Sequence, residues 1–263
     1  MSNMLDSISL LSWNVRGLGH PVKRGKVFAN LKAMKSDIIF LQATHVKATQ
    51  QRKLRANWIS QVYHSPFTSK ARGVAILFHK NIPFRFQSSI IDPNGRFLIL
   101  TGYINLLPVK LVNDYGPNID DPAFFRKLFN LIPDNDLSHI MIGGDFNCYL
   151  DPYLDRLSSA PPPSIVAVKT LNNLMMSKKV VDIWRLKHPS DHDNSFYSNI
   201  HKSYTRIDYF LVDSRLISNT DNVKYHNIII SDHSPVESNL RNVPPQTSLY
   251  LAIQTPLTPR PSI

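Results

Sequence analysis

The sequence predicts a layered α/β domain with a polar site along one edge of its sheets. Three observations carry that expectation. Short apolar, β-branched runs occur between stretches of helical periodicity; several of those runs end on acids or amides; and the composition supplies one sizeable core. With 43% hydrophobic residues among 263, one domain of this length is ordinary for an α/β sandwich.

The most informative run is Ile140-Met141-Ile142-Gly143-Gly144-Asp145-Phe146-Asn147-Cys148. It reads as a buried strand opening at Gly-Gly onto polar side chains, although Gly-Gly-Asp also suits a simple turn. If the chain stays extended past the glycines, Asp145 and Asn147 project from one face. Chemistry on a phosphate needs such a pair: an acid to hold a cation or move a proton, and a neutral amide to bind an anionic oxygen. Other strands end alike. Ser9 to Asn14 finishes on an amide, Asp37 to Ala43 carries Gln42 near its end, and the β-branched run Asn227 to Ile230 leads into Ser231-Asp232-His233. Tyr204 to Val212 embeds Asp208 among apolar neighbours, where an unpaired carboxylate would be costly.

The remaining elements follow in chain order. From Lys23 to Lys35, Val27, Leu31 and Met34 recur at helical spacing with Phe28 beside them. Opposite lie Lys23, Arg24, Lys26 and Lys32, read as a solvated face in preference to a DNA contact. Lys47 to Trp58 is a second basic, helical stretch. Gly73 to Phe78 is a strand buried on both faces. Arg96 to Leu100 and Val109 to Asn113 are further strands, with a turn at Asp92-Pro93-Asn94-Gly95. Asp121-Pro122 opens a helix with an acid cap and the stripe Phe125, Leu128, Phe129 and Ile132. Another helix runs from Ser164 to Met176, with Val168, Leu171 and Met175 inward. Pro161-Pro162-Pro163 is a stiff loop. Val243 to Ile263 contains five prolines and reads as a linker or disordered end, giving one domain over 1–242 and a tail over 243–263.

Thirty Lys and Arg against 19 Asp and Glu give a formal charge of +11 and a pI near 9.7, which favours a polyanionic partner. Together with the phosphate-directed motifs, this points to DNA or RNA and away from a small phosphate ester. The single Cys148 cannot form an internal disulfide and reads as apolar filler, which suits a reducing nuclear or cytoplasmic compartment. His20, His45, His64 and His192 share no spacing and are read as surface or loop residues. No apolar run reaches membrane-spanning length and no signal peptide is recognisable.

Six segments in fixed order, spanning about residues 8 to 240, resemble the endonuclease/exonuclease/phosphatase superfamily. They are Ser12 to Leu18 (SWNVRGL), Phe40 to His45 (FLQATH), Asn113 to Asn118 (NDYGPN), Gly143 to Asn147 (GGDFN), Arg206 to Tyr209 (RIDY) and Ser231 to His233 (SDH). The closer resemblance is to the endonuclease domain of long interspersed element (LINE) retrotransposons. It implies a DNase I-like four-layer α/β/β/α sandwich: two mixed sheets face to face with helices outside. It also implies a monomeric enzyme that nicks double-stranded DNA with Mg²⁺ (or Mn²⁺) and leaves a 3′ hydroxyl. In that family a reverse transcriptase follows, so the chain is expected to be an isolated endonuclease-like piece.

By the same resemblance, Asp145 handles the attacking water or the leaving group and Asn147 orients the phosphate. Asp208 and His233 form an acid–imidazole pair, and Tyr115 donates to the phosphate. Asn14 and Asp232 belong to the metal site, while Asn118, Ser195 and Arg206 lie on the substrate side, Asn118 as a buttress and Ser195 against the DNA backbone. Two departures stand out. Ala43 occupies the place of the Glu that ligates the divalent ion, a loss of at least the ~10–100-fold typical of an outer partner. Asp114 occurs where the family has an apolar residue. Two alternatives remain: an abasic-site repair nuclease of the exonuclease III type, which Arg16-Gly17-Leu18 disfavours, and a catalytically dead DNA-binding remnant, which Ala43 favours.

Overall fold

Successive side chains of a strand point to opposite faces, and the central strands here are apolar at both sets of positions because both faces are covered. The computed structural model describes residues 7–133, 137–157, 165–199 and 202–241. The first sheet contains β1 (Ser7–Asn14), β2 (Ile38–Gln42), β3 (Ile59–Ser65), β4 (Val74–His79), β14 (Thr220–Tyr225) and β15 (Val236–Arg241), in the order β14-β15-β1-β2-β4-β3. The second contains β5 (Phe84–Ile91), β6 (Phe97–Ile104), β7 (Leu107–Tyr115), β8 (His139–Asp145), β10 (Val180–Asp182) and β13 (Asp208–Asp213), in the order β10-β13-β8-β7-β6-β5. A small third sheet joins β9 (Arg156–Leu157), β11 (Phe196–Ser198) and β12 (Ser203–Thr205).

The alternation sorts the core into three layers. Leu10, Phe40, Ile76, Leu111, Met141 and Phe210 meet between the sheets. The other faces of the first sheet, through Leu11, Trp13, Leu41 and Leu77, pack on Val27 and Leu31 of helix α1 (Pro21–Met34). Those of the second sheet, through Ile142, Tyr209 and Leu211, pack on helices α2 (Pro122–Leu131) and α3 (Val166–Ser177). A short helix α4 (Ile183–Lys187) follows β10, and its Ile183 and Trp184 close the inter-sheet layer. The expected four-layer sandwich is therefore the observed one. Among the described residues, no helix is long and apolar enough to cross a membrane.

Each of the two large sheets is mixed and contains one parallel pair, β1 with β2 and β7 with β8. Asn14, Gln42, Tyr115 and Asp145 end these four strands. Just inside that edge the two sheets are tied by polar groups. Asn113 donates to the carbonyls of Leu41 (3.1 Å) and Ala75 (2.8 Å) and accepts from Gln42 Nε2 (2.8 Å). Such buried amides hold their place because leaving the partners unpaired costs more than forming the bonds gains.

Four expectations change. Asn227 to Ile230 is a loop, with Ile228 and Ile229 38% and 71% exposed. β15 already has β14 on one side and β1 on the other, so this β-branched run has no ladder to join. The Lys47 to Trp58 segment forms only a 3₁₀ stretch, Ala48–Leu54, broken at Gln50, because Leu54 alone supplies a buried side chain. Helix α2 begins at its acid cap as expected, with Asp121 accepting from the Phe124 N–H (3.1 Å). Helix α3 starts at Val166 and is capped from a distance: Asp120 accepts from the N–H groups of Val166 (3.0 Å) and Ala167 (2.6 Å). In that helix Ala167, Leu171 and Met175 are buried while Val168 is half-buried. Ser164, Pro161-Pro162-Pro163 and the tail over 243–263 lie outside the described residues.

Asp114 shares the α2-facing side of β7 with Val112, is fully buried, and neither carboxylate oxygen has a hydrogen-bond partner among the described residues. Burial first, then the charge of Asp145, pushes its carboxyl well above the usual range. In the unfolded chain the group ionises near pH 4, so its presence costs the fold progressively more as pH rises above that point. Asp114→Val should therefore raise stability at pH 7 by about 1–3 kcal/mol, the scale of an unsatisfied buried polar group. Chemical denaturation should show the gain shrinking as pH falls toward 4.

Candidate active site

Four side chains from four places in the chain meet at the edge where the parallel pairs end. Asn14 closes β1, Asp145 closes β8, and Asp208 opens β13 directly opposite Asp145 in the antiparallel ladder. His233 reaches the same point from the loop after β14 and is pinned by a bridge to Phe196. All four are buried.

The contacts define an ordered chain. His233 Nδ1–H donates to Asp208 Oδ2 at 2.9 Å, a carboxylate oxygen being an acceptor. That bond turns Nε2 toward Asp145 Oδ2, 3.7 Å away, with Asn14 Nδ2 at 3.5 Å. Asn14 Nδ2 also donates to Asp145 Oδ2 (2.8 Å), and the Asn147 N–H donates to Asp145 Oδ1 (2.9 Å). Trp13 Nε1 donates to the His233 carbonyl (3.0 Å), and the Phe196 ring lies 4.6 Å from the imidazole. Burial disfavours a charged imidazole, but the carboxylates of Asp208 and Asp145 outweigh it and raise His233 to about 9. Burial, opposed by His233 and assisted by the charge of Asp208, pushes Asp145 up to about 7.

Tyr115 ends β7 beside Asp145, half-buried. Arg96 fixes its backbone by donating to the carbonyls of Tyr115 (3.2 Å) and Gly116 (2.9 Å). Burial and then Asp145 raise the phenol, which keeps it a hydrogen-bond donor. Asn147 departs from expectation. The strand stops at Asp145, and Asn147 takes a left-handed conformation (φ 51°), so the two side chains do not share a strand face. Its amide donates instead to the Gly116 carbonyl (2.9 Å). Gly116 approaches so closely that a Cβ would lie 2.3 Å from the Phe146 carbonyl oxygen.

The expected substrate-side residues fare differently. Asn118 is exposed on the loop after β7. Ser195 is fully buried, and its hydroxyl accepts from the N–H groups of Ile207 (2.9 Å) and Asp208 (3.0 Å), holding the start of β13 in place. Arg206 is also fully buried. Its guanidinium grips Asp155 through two nitrogens (2.8 and 3.0 Å) and Asp182 at 2.6 Å, between the rings of Trp184 and Tyr209. Both belong to the framework beneath Asp208, because neither has surface from which to touch DNA.

Asp145, Asp208 and His233 bring ligand atoms within 4.8 Å of one another and could hold a metal ion. The donor set fits a divalent cation: Asp208 Oδ1 is buried without a partner among the described residues, and two buried carboxylates face a single imidazole. This cluster is not the metal site that the resemblance implies, which comprises Asn14, Asp232 and the place of Ala43, and that site is weaker. Ala43 is buried in a left-handed conformation (φ 49°) and offers no donor side chain. Asp232 is engaged by the Arg16 guanidinium. Sequence reasoning missed Arg16, Trp13, Phe196 and Arg96. Trp13 and Arg16 flank Asn14 in the first motif, a signal in plain view, whereas Phe196 and Arg96 arrive through tertiary packing alone.

The chain is similar to several known proteins. The chain is 25% identical over 243 residues, 90% of its length, to the "Transposon TX1 uncharacterized 149 kDa protein" of Xenopus laevis, of which it spans only 18%. Among solved structures it is similar to the AP endonuclease LMAP from Leishmania major (TM-score 0.74, 22% identity, covering 90% of this chain and 88% of that one). It is likewise similar to the Xenopus laevis APE2 catalytic domain (0.72, 19%, 89% and 92%) and to an AP endonuclease from Archaeoglobus fulgidus (0.71, 19%, 90% and 100%). At these identities the structures speak for the fold. Residues 11–233 match the Endonuclease/Exonuclease/phosphatase family, a span that contains all six motifs and all four converging side chains, and the chain belongs to that family.

Proposed function

We propose that this chain is a DNA-nicking phosphodiesterase domain of the LINE retrotransposon type, acting as a monomer on double-stranded DNA with Mg²⁺ (or Mn²⁺), and slowed by Ala43. The observation that carries the reading is the buried Asp208–His233–Asp145 chain with Asn14 at its mouth, in a family defined by cutting phosphate esters. The formal charge of +11 suits a polyanion, and a relative named as a transposon protein supports the element type.

A divalent ion held by the Asp145 and Asp208 carboxylates would supply positive charge to the phosphate oxygens and would leave His233 Nε2 free for proton transfer. The chain's own residues supply the rest. Asp208 holds His233 in one tautomer and stabilises its charged form, the orienting logic of catalytic triads. His233 Nε2 and Asp145 Oδ2 face the same point and move protons between the attacking water and the leaving oxygen as a pair. Tyr115 stays protonated and donates to the charge that builds up on the phosphate. Asn147, locked to Gly116, sets the position of the loop beside it.

The abasic-site alternative requires a damaged duplex; nicking of intact plasmid separates the two. The catalytically dead alternative rests on Ala43 together with the engagement of Asp232 by Arg16.

Nicking of supercoiled plasmid with Mg²⁺ should be detectable and should fall by about 10²–10⁴-fold in His233→Ala, the range for losing a proton-transfer group. Ala43→Glu should raise the rate by at least about tenfold. If no folded variant nicks, the enzymatic reading fails and the DNA-binding remnant stands. A second measurement addresses the substrate: affinity for a short duplex should fall steeply and log-linearly with salt, and a flat response would remove the DNA reading altogether.

A further inference from the structure

The corner of the site around position 43 carries the wrong charge for a cation. The loop after β1 lies directly against it: the N–H groups of Gly17 and Leu18 donate to the carbonyls of Ala43 (2.7 Å) and Thr44 (2.8 Å). That loop turns through left-handed conformations at Arg16 (φ 46°) and Gly17 (φ 94°). Arg16 is further fixed at both ends of its peptide unit. Its N–H donates to Asn14 Oδ1 (3.0 Å) and its carbonyl accepts from Lys23 Nζ (2.8 Å). From this anchored backbone the guanidinium reaches across to Asp232. A non-glycine residue in the left-handed region is held at a cost, and such costs persist where the surroundings over-determine them.

One further positive group crowds the same corner. Lys23 is lowered, by burial first, with Asp232 raising it and Arg16 lowering it. His45, whose ring would meet a Cβ on Gly17 at 2.8 Å, is lowered by burial and then by Lys23 and Arg16, which favours its neutral form. The corner therefore holds one carboxylate against the two cations Arg16 and Lys23.

We propose that Arg16 is the resident counter-charge of Asp232, so that a divalent ion gains Asp232 only by displacing the guanidinium. The proposal rests on the metal-assisted reading above and deepens it. It means that Ala43 and Arg16 together empty this corner of free carboxylate, and that restoring Glu at 43 alone is an incomplete repair. A carboxylate placed next to the Arg16 loop would be drawn to the same guanidinium. The Arg16 side chain remains 66% exposed, against 19% for Asp232, so it can swing away when a competitor arrives.

The test uses Mn²⁺ as the probe, with binding followed by electron paramagnetic resonance of the free ion and by the rise in unfolding midpoint that Mn²⁺ causes. Arg16→Met should tighten Mn²⁺ binding by about tenfold, the scale of freeing one carboxylate from a competing charge at a partly exposed site. Arg16→Lys, which keeps the charge, should stay near the parent. In an Asp232→Asn background, Arg16→Met should bring no gain, because the contested carboxylate is gone. The double variant Ala43→Glu with Arg16→Met should bind more tightly than Ala43→Glu alone. Equal affinity of the parent and Arg16→Met would overturn the proposal, as would a gain that persists without Asp232. If Ala43→Glu binds Mn²⁺ and Arg16 makes no difference, this inference alone fails. If no folded variant binds Mn²⁺, the inference and the metal-assisted reading fail together.

Discussion

Covering both faces of both sheets is the constraint on which the rest of this structure depends. Once helices lie outside and the sheets face each other, a central strand has no polar side, and polar chemistry can leave the core only at strand ends. The parallel pair in each sheet then sets which ends matter. Asn14, Gln42, Tyr115 and Asp145 all terminate strands of these pairs, so a site assembled from distant parts of the chain needs no long loops to bring it together. Among the polar groups inside, Asn113 is the chief tie: its amide holds the two sheets in register beneath the reacting groups.

Burial also sets the electrical character of the site. Burial raises Asp145 to about 7 against the pull of the imidazole, and the carboxylates of Asp208 and Asp145 raise His233 to about 9 against its burial. Charge is scarce and shared there, which a bound cation would relieve. The neighbouring corner is the reverse, with Arg16 and Lys23 around Asp232. The buried cluster and the expected metal corner thus differ in kind, and this chain differs from its resemblance most in the corner that surrounds Ala43.

Beneath the site lies a framework that reads as function in one dimension and as support in three. Arg206 and Ser195 stand inside recognisable motifs, yet one is a buried cation between Asp155 and Asp182 and the other caps the N–H groups that open β13. Removing one partner of such a buried pair costs about 3–5 kcal/mol through the charge left behind, which is reason enough for these residues to be there without any contact to DNA. Asp114 is the opposite case, an acid in an apolar place with no compensating bond.

The sequence by itself determined the layered class, strands β1, β2, β4, β6, β7, β8 and β13, the acid cap of α2 and the candidates Asn14, Asp145 and Asp208, because each is written in local pattern, whereas His233 is singled out through its Ser-Asp-His motif. Tertiary structure alone decided the rest. Periodicity could not know that β15 already had two neighbours, so Asn227 to Ile230 became a loop, and that loop is what carries His233 to Asp208. Nor could spacing reveal that Asp120 caps α3, that Asn147 turns left-handed, or that Arg16 crosses to Asp232. Those features depend on which charges and backbone groups meet when residues 31 to 216 positions apart are brought together, and no local preference encodes such a meeting.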